Sequence, residues 1–566
     1  MLEDTLRNPA VGRSGEQATR RGATLGAKTL GVHEPSLDHP AALLAYHDEL
    51  LFRAAYPENA AALAQTRREL KRVVAAARAI AEGAPARARA KLRGSGIAWS
   101  AISYAFSYGV ARWLAQSYPG CAEIDGAGME ARPVMEALRP AMPRTEFALL
   151  DDEYDDLDAF FTAAKGNATQ TNLAWLVAQF ERMPCGEQLR DRLYEALDLT
   201  VCVEPGGAPI SRTLARGLDA PAYYHRGVFI RRPDDVGRIV RERVPRARAT
   251  SAAERRQLWD TARGVLAMLG RETDPITLGY EDGVEYLELG RGVSIALFDM
   301  RAERRFALDT HLGFVLFKNA IPVGYGGGWP FLGTSKIGVN ILAPFRGGES
   351  ALLFLQVLRV YHQRFGVERF LVEPYQFGAD NKEGLLSGAF WFYYRLGFRP
   401  VDRRVAALAE AEYERVAAGG GYRTPLGMMR RLVKSDIELN LGGKTAEAGW
   451  PDPFDLSAAV TAWIAREFAG DRTAAERGAL DRATAALGVR GMGRWPEAER
   501  RAFTDLSMVV AQIPALDRWP AADRRACVAI MRARGGRDER KYFALLRRHR
   551  RLREALAGIV ANHQNG

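Results

Sequence analysis

Hydrophobic spacing divides the chain into three regimes. From Pro40 to about Ala222 apolar residues recur at helical intervals, from Gly227 short alternating runs take over, and beyond Pro451 helical spacing returns. In the first regime the pattern predicts helices over Ala41–Phe52, from a Pro57-Glu58-Asn59 start through Ala81, over Ala98–Tyr118 (stopped by Pro119-Gly120), over Thr171–Met183 and over Gly186–Leu197. No fixed-period repeat is present. The second regime opens with an extended piece at Phe229–Pro233, a helix Val236–Val244, and an amphipathic helix Ser251–Leu269 whose Ser251 and Glu254 form a capping box. Val284–Leu289 and Val293–Phe298 alternate as strands do.

The densest pattern runs from Leu312 to Pro400. Gly313–Phe317 and Ile321–Tyr325 are two apolar runs joined by Lys318-Asn319-Ala320, which predicts a hairpin. A strand Ile337–Leu342 is stopped by Pro344. After Arg346-Gly347-Gly348-Glu349-Ser350 come about four helical turns with Ala351, Leu355, Leu358, His362 and Phe365 on one face. A strand Arg369–Glu373, a polar loop and an aromatic helix ending at Gly397 complete the stretch. Strand, glycine turn, helix and strand make a βαβ unit, whose turn gathers free backbone N–H groups at a positive helix end where an anion can sit. Glycines let a phosphate approach because no Cβ stands in its way.

This stretch resembles the GNAT superfamily of acyl-CoA-dependent N-acyltransferases. The resemblance covers about residues 250–435, with its specific motifs between 337 and 400. In that family an Arg/Gln-x-x-Gly-x-Gly/Ala turn holds the coenzyme A pyrophosphate, and a helix of the form Asn-x-x-Ala-x-x-Phe-Tyr-x-x-Leu-Gly-Phe follows downstream. Here the first signature reads Arg346-Gly347-Gly348-Glu349-Ser350-Ala351 and the second Ala389-Phe390-Trp391-Phe392-Tyr393-Tyr394-Arg395-Leu396-Gly397-Phe398. The resemblance implies a mixed sheet in which the strands at Ile337–Leu342 and Arg369–Glu373 splay to admit the pantetheine arm. It implies that Arg346, Gly347, Gly348, Glu349, Ser350 and Ala351 surround the diphosphate. It also implies that a backbone N–H among Asn340, Ile341 and Leu342 faces the thioester oxyanion and that Tyr393 is the acid for the departing thiolate. Two positions depart from the family: Glu349 stands for a glycine, and Leu386 for the asparagine, with Asn381 in the loop before it. A carboxylate about 4 Å from a pyrophosphate charge costs roughly 1 kcal/mol in water and more where water is excluded.

A chain of 566 residues exceeds one core. The expected organisation is α+β and multidomain. A disordered leader (1–38) precedes an all-helical domain (39–227), a GNAT-like domain with a central mixed sheet and helices on both faces (228–440), and an all-helical C-terminal domain (441–566). The 47% hydrophobic and 26% charged residues exclude wholesale disorder. Arginine and alanine abundance reads as the coding bias of a GC-rich bacterial source. The +11 net charge favours anions in general without choosing one. Cys121, Cys185, Cys202 and Cys527 lack metal or disulfide spacing, no apolar run is long enough for a membrane span, and the N-terminus lacks a secretory h-region, so a cytoplasmic protein without metal or membrane is expected. The acidic run Asp151–Asp158 lacks the glycine-centred spacing of a calcium loop and reads as a helix start. The small-residue and aromatic run Ser100–Gly109 reads as a close helix contact. Arginines crowd residues 532–553 with Phe543, Leu545, Leu546, Leu552 and Leu556 among them, the pattern of a helix docked by its apolar face with its charges in water; nucleic acid is not expected as a partner.

Acyl transfer to an amine needs an unprotonated nucleophile, so a base or water chain must remove a proton. Glu373, at the end of its strand, is the first candidate, Asp380 and Glu383 the next, and His362 and His311 qualify by type alone. The function expected is transfer from acetyl-CoA or another acyl-CoA, as substrate, to a small-molecule or peptide amine. The alternative is a degenerate GNAT-like scaffold or binding module, which Glu349 and the missing asparagine favour.

Overall fold

The alternating runs of the middle of the chain pair into one eight-stranded sheet in a computed structural model, which describes residues 37–442 and 451–565. The expected leader lies outside the described residues except for its last two positions. Two compact units divide the chain: residues up to Val228 with Ser251–Thr277 and Phe317–Val323 form the first, and Phe229–Thr250, Leu278–Leu316 and residues from Gly324 onward form the second.

The first unit is not all-helical. Helices such as Pro40–Ala55 and Ala60–Gly83, the latter N-capped by Asn59, are joined by β1 (Ile102–Tyr104), β2 (Ala122–Ile124) and β3 (Val201–Val203) in the order β1-β3-β2. The expected helix Ala98–Tyr118 survives only as Tyr108–Ser117, because Ile102–Tyr104 pairs with Val201–Val203 instead. Strands of three residues leave too little alternation to read against a helical background. The acidic run behaves as expected: Asp156 N-caps the helix Leu157–Lys165, accepting from the Ala159 amide at 2.9 Å.

The Glu272 carboxyl of this unit is shifted far from its ordinary range. Glu272 accepts 2.8 Å from the Ser107 amide and also from the Ser107 hydroxyl, yet burial outweighs these bonds and pushes it up to about 7. Below its ordinary range both folded and unfolded chains hold the proton and the full stability is present; as pH rises toward 7 the unfolded chain ionises first and stability is lost. The melting temperature of the parent should therefore fall from pH 5 to pH 7 relative to Glu272→Gln, and parallel curves for the two proteins would refute the assignment.

In the second unit the strands are β4 (Gly279–Gly290), β5 (Val293–Met300), β6 (Leu312–Lys318), β7 (Ile321–Phe331), β8 (Thr334–Ile341), β9 (Arg369–Val372), β10 (Arg399–Pro400) and β11 (Ile437–Asn440), the β6–β7 turn itself grouping with the first unit. The sheet runs β10-β11-β9-β8-β7-β6-β5-β4. β4–β5, β7–β8, β9–β11 and β10–β11 are antiparallel, and β8–β9 is parallel because the helix Ser350–Phe365 carries the chain across between them. That helix is almost wholly buried, and its Tyr361 hydroxyl donates to the Leu312 carbonyl at 2.6 Å.

The helical stretch from Pro453 onward groups with the sheet in this same unit. Phe543, Leu546, Leu552 and Leu556 are buried, as an inward apolar face requires. Two exposed arginines of the stretch are paired: Arg550 with Glu554 and Arg551 with Asp523. Arg534 departs from the expectation of solvated charge. It is 3% exposed, holds Glu539 with one nitrogen at 2.7 and 2.6 Å from the two carboxylate oxygens, and donates to the carbonyls of Phe306 and Asp309. Arg305 contacts the same Glu539 at 2.8 Å and Asp299 at 3.2 Å. No helix among the described residues is long and apolar enough to cross a membrane.

Candidate active site

β8 and β9 share only three register pairs, Thr334–Arg369, Ser335–Phe370 and Lys336–Leu371. β8 continues through Ile337 to Ile341, while the chain after β9 turns into the short helix Pro374–Phe377. The strands therefore part beyond Lys336. Gln376 reaches into the parting, for a Cβ built on Gly338 would stand 3.2 Å from its side chain. Asn340 donates to the Tyr325 hydroxyl across the β7–β8 pair at 3.3 Å.

At the end of β8 the chain makes a 3-10 turn, Ala343–Phe345, after Leu342. The Gly348 amide closes it on the Phe345 carbonyl at 3.0 Å, and the long helix starts at Ser350, whose hydroxyl donates to the Arg346 carbonyl at 3.2 Å. Ala351 follows in the first turn, buried. Gly347 is exposed, and a Cβ there would meet nothing within 4 Å. The expected clash at Glu349 does not arise. Its side chain is fully buried, accepting from the Ile230 amide at 3.1 Å and from Arg291 at 2.6 Å, so its charge is neutralised inside the unit. Arg346 is held by the Ile341 carbonyl at 2.9 Å and pairs with Glu383.

The proposed acid and bases are placed differently from one another. Tyr393 is 3% exposed, with Phe354, Phe377, Phe392 and Phe398 ringed about it at 5.2–6.2 Å between centroids. Burial pushes its phenol well above the ordinary range. Glu373 is half-exposed and bonded to Lys336 at 3.0 Å. Burial works to lower the Lys336 ammonium, but the bond and charge of Glu373 raise it above its usual value, so Glu373 acts as a counter-ion to Lys336. Asp380 sits in the left-handed region, at φ 52°. His362 bonds the Val367 carbonyl at 2.6 Å, closing the end of its helix. His311 is buried, stacks on Trp329 at 3.9 Å, and is pushed down to about 3 by burial. Asn381 caps its own helix through the Gly384 amide, while Leu386 is 58% exposed.

The structure thus gathers Asn340, Ile341, Leu342 and Arg346 through Ala351 at one corner. It places Glu373 at the start of the parting and encloses Tyr393 among aromatic rings. Arg291, Gln376 and Lys336 were missed: none belongs to a local motif, and each acts through a contact with another segment. Two cavities, of 40 and 390 Å³, are lined by other residues, the first by Arg305, Arg501 and Arg534 and the second by Arg482, Ile513 and Asp517. Compared with known proteins, the chain matches no family model, no curated protein and no solved structure.

Proposed function

We propose that the parting of β8 and β9 admits the pantetheine arm of an acyl-CoA, that the corner after Leu342 holds its diphosphate, and that the domain transfers the acyl group to an amine. The observation carrying this reading is the combination at one end of β8: a parallel register that stops after three pairs, followed by a turn whose Gly347 is exposed and from which the Glu349 carboxylate is withdrawn. The amine, freed of its proton by water, attacks the thioester carbon. Backbone amides near Asn340–Leu342 are the candidate donors to the oxyanion. The leaving thiolate takes up a proton, for which the Tyr393 phenol is the candidate donor; burial keeps that phenol protonated but also makes it a weaker acid.

The scaffold reading is favoured by a separate pair of observations, the aromatic enclosure of Tyr393 and the Lys336 bond of Glu373. Both readings are tested together. Coenzyme A at a hundred times its Kd should stabilise the chain by about 2.7 kcal/mol, seen as a raised melting temperature. With acetyl-CoA and a panel of amines, free thiol should be released, and Tyr393→Phe should lower that rate by about a hundredfold or more if the phenol is the acid. A thermal shift without thiol release selects the scaffold; no shift with any acyl-CoA rejects ligand binding altogether.

A further inference from the structure

We propose that Glu383 is an internal substitute for a phosphate at this corner: a carboxylate latch on Arg346, which a diphosphate-bearing ligand displaces. The inference rests on reading the corner as an anion site. Arg346 is oriented there by its own segment, since its Nε donates to the Ile341 carbonyl, and its remaining nitrogens face outward, where one meets Glu383. The side chains are 48% and 64% exposed, so the pair opens at little cost. A diphosphate brings more charge than one carboxylate and matches the planar guanidinium.

The helix bearing Glu383, Lys382–Ser387, is held in place, so the latch opens by rotation of the Glu383 side chain. Asn381 ties its first turn together, accepting from the Gly384 amide at 3.0 Å, and its own amide nitrogen donates to the Tyr375 carbonyl at 3.0 Å. Gly378 (φ 135°) packs against it, for a Cβ there would stand 2.8 Å from the Leu385 Cα, and Gly388 (φ 69°) ends it. Leu386 lies three residues from Glu383, on the same helical face, and is 58% exposed. The face carrying Glu383 is therefore open to solvent, and the carboxylate can leave the arginine without the helix moving.

Titration calorimetry of the full chain with inorganic pyrophosphate and, separately, with coenzyme A tests this. Glu383→Gln should bind each about fivefold more tightly than the parent at low salt, with the gain shrinking at 1 M salt. Because Glu383 is exposed, its melting temperature should stay within about 1 °C of the parent. In an Arg346→Ala background the gain should vanish. Equal affinities for parent and Glu383→Gln overturn the latch while leaving the corner an anion site. A gain that persists without Arg346 also overturns it, as a general charge effect. Binding of neither ligand by any variant overturns the reading of the corner itself.

Discussion

Arg534→Ala is expected to lower the unfolding free energy by about 3–5 kcal/mol, the cost of stranding a buried charge, measured by denaturant titration. Arg534 holds both oxygens of Glu539, and each side chain is 2% exposed. Removing the guanidinium leaves that carboxylate with Arg305 alone, and the carbonyls of Phe306 and Asp309 lose their donor as well. Neighbouring Asp299, a carboxyl pushed up to about 8 by burial and by the charge of Glu539, can add only negative charge and so cannot compensate it. Arg534→Ala combined with Glu539→Ala should cost less than the two separate losses added, since the second change removes the charge that the first one strands. A loss under 1 kcal/mol for Arg534→Ala would mean that this network does not hold the C-terminal helices to their sheet.

Local elements were legible where local chemistry decides them. Asn319 and Ala320, both at positive φ, form the tight hairpin turn that two flanking apolar runs require. Ser251 and Glu254 make the capping box, and the helix Ser350–Phe365 begins one residue before its first predicted core position. What the pattern could not carry was pairing at a distance. β11 lies between β9 and β10 although it follows both in sequence, and β1 and β3 are a hundred residues apart in the chain. Strands this short acquire their conformation from partners, so their own alternation is weak evidence.

The site divides along the same line. The corner from Leu342 to Ser350 was readable because a glycine turn before a helix has a local signature. The disposition of Glu349 was not, since it is fixed by Arg291, 58 residues away, and by the Ile230 amide. Its substitution for glycine predicts a charge against the phosphate only if the side chain has nowhere else to go. Likewise Glu373 reads as a free carboxylate at a strand end, and it is the lysine across the parallel pair that occupies it. Electrostatic roles are set by the partner, and the partner is a property of the fold.

Gly326→Ala and Gly347→Ala should separate these two kinds of constraint. At Gly326 an added Cβ would lie 2.1 Å from the Gly338 carbonyl oxygen and 2.6 Å from Phe314. The carbonyl belongs to β8, aligned on β7 by Gly326–Val339 and Gly327–Gly338, so it cannot step aside without parting the two strands. The expected loss is about 3 kcal/mol, the upper end of overpacking costs, together with loss of any coenzyme A response, because β8 forms one wall of the proposed cleft. At Gly347 the same methyl meets nothing within 4 Å, so stability should change by no more than about 0.5 kcal/mol. Yet that methyl stands where the phosphate is proposed to approach, and affinity for coenzyme A should fall by about tenfold if it costs one good contact. Chemical denaturation beside ligand titration reads both variants. A Gly347→Ala protein that binds as the parent does would remove the diphosphate from this corner, whatever the result at Gly326.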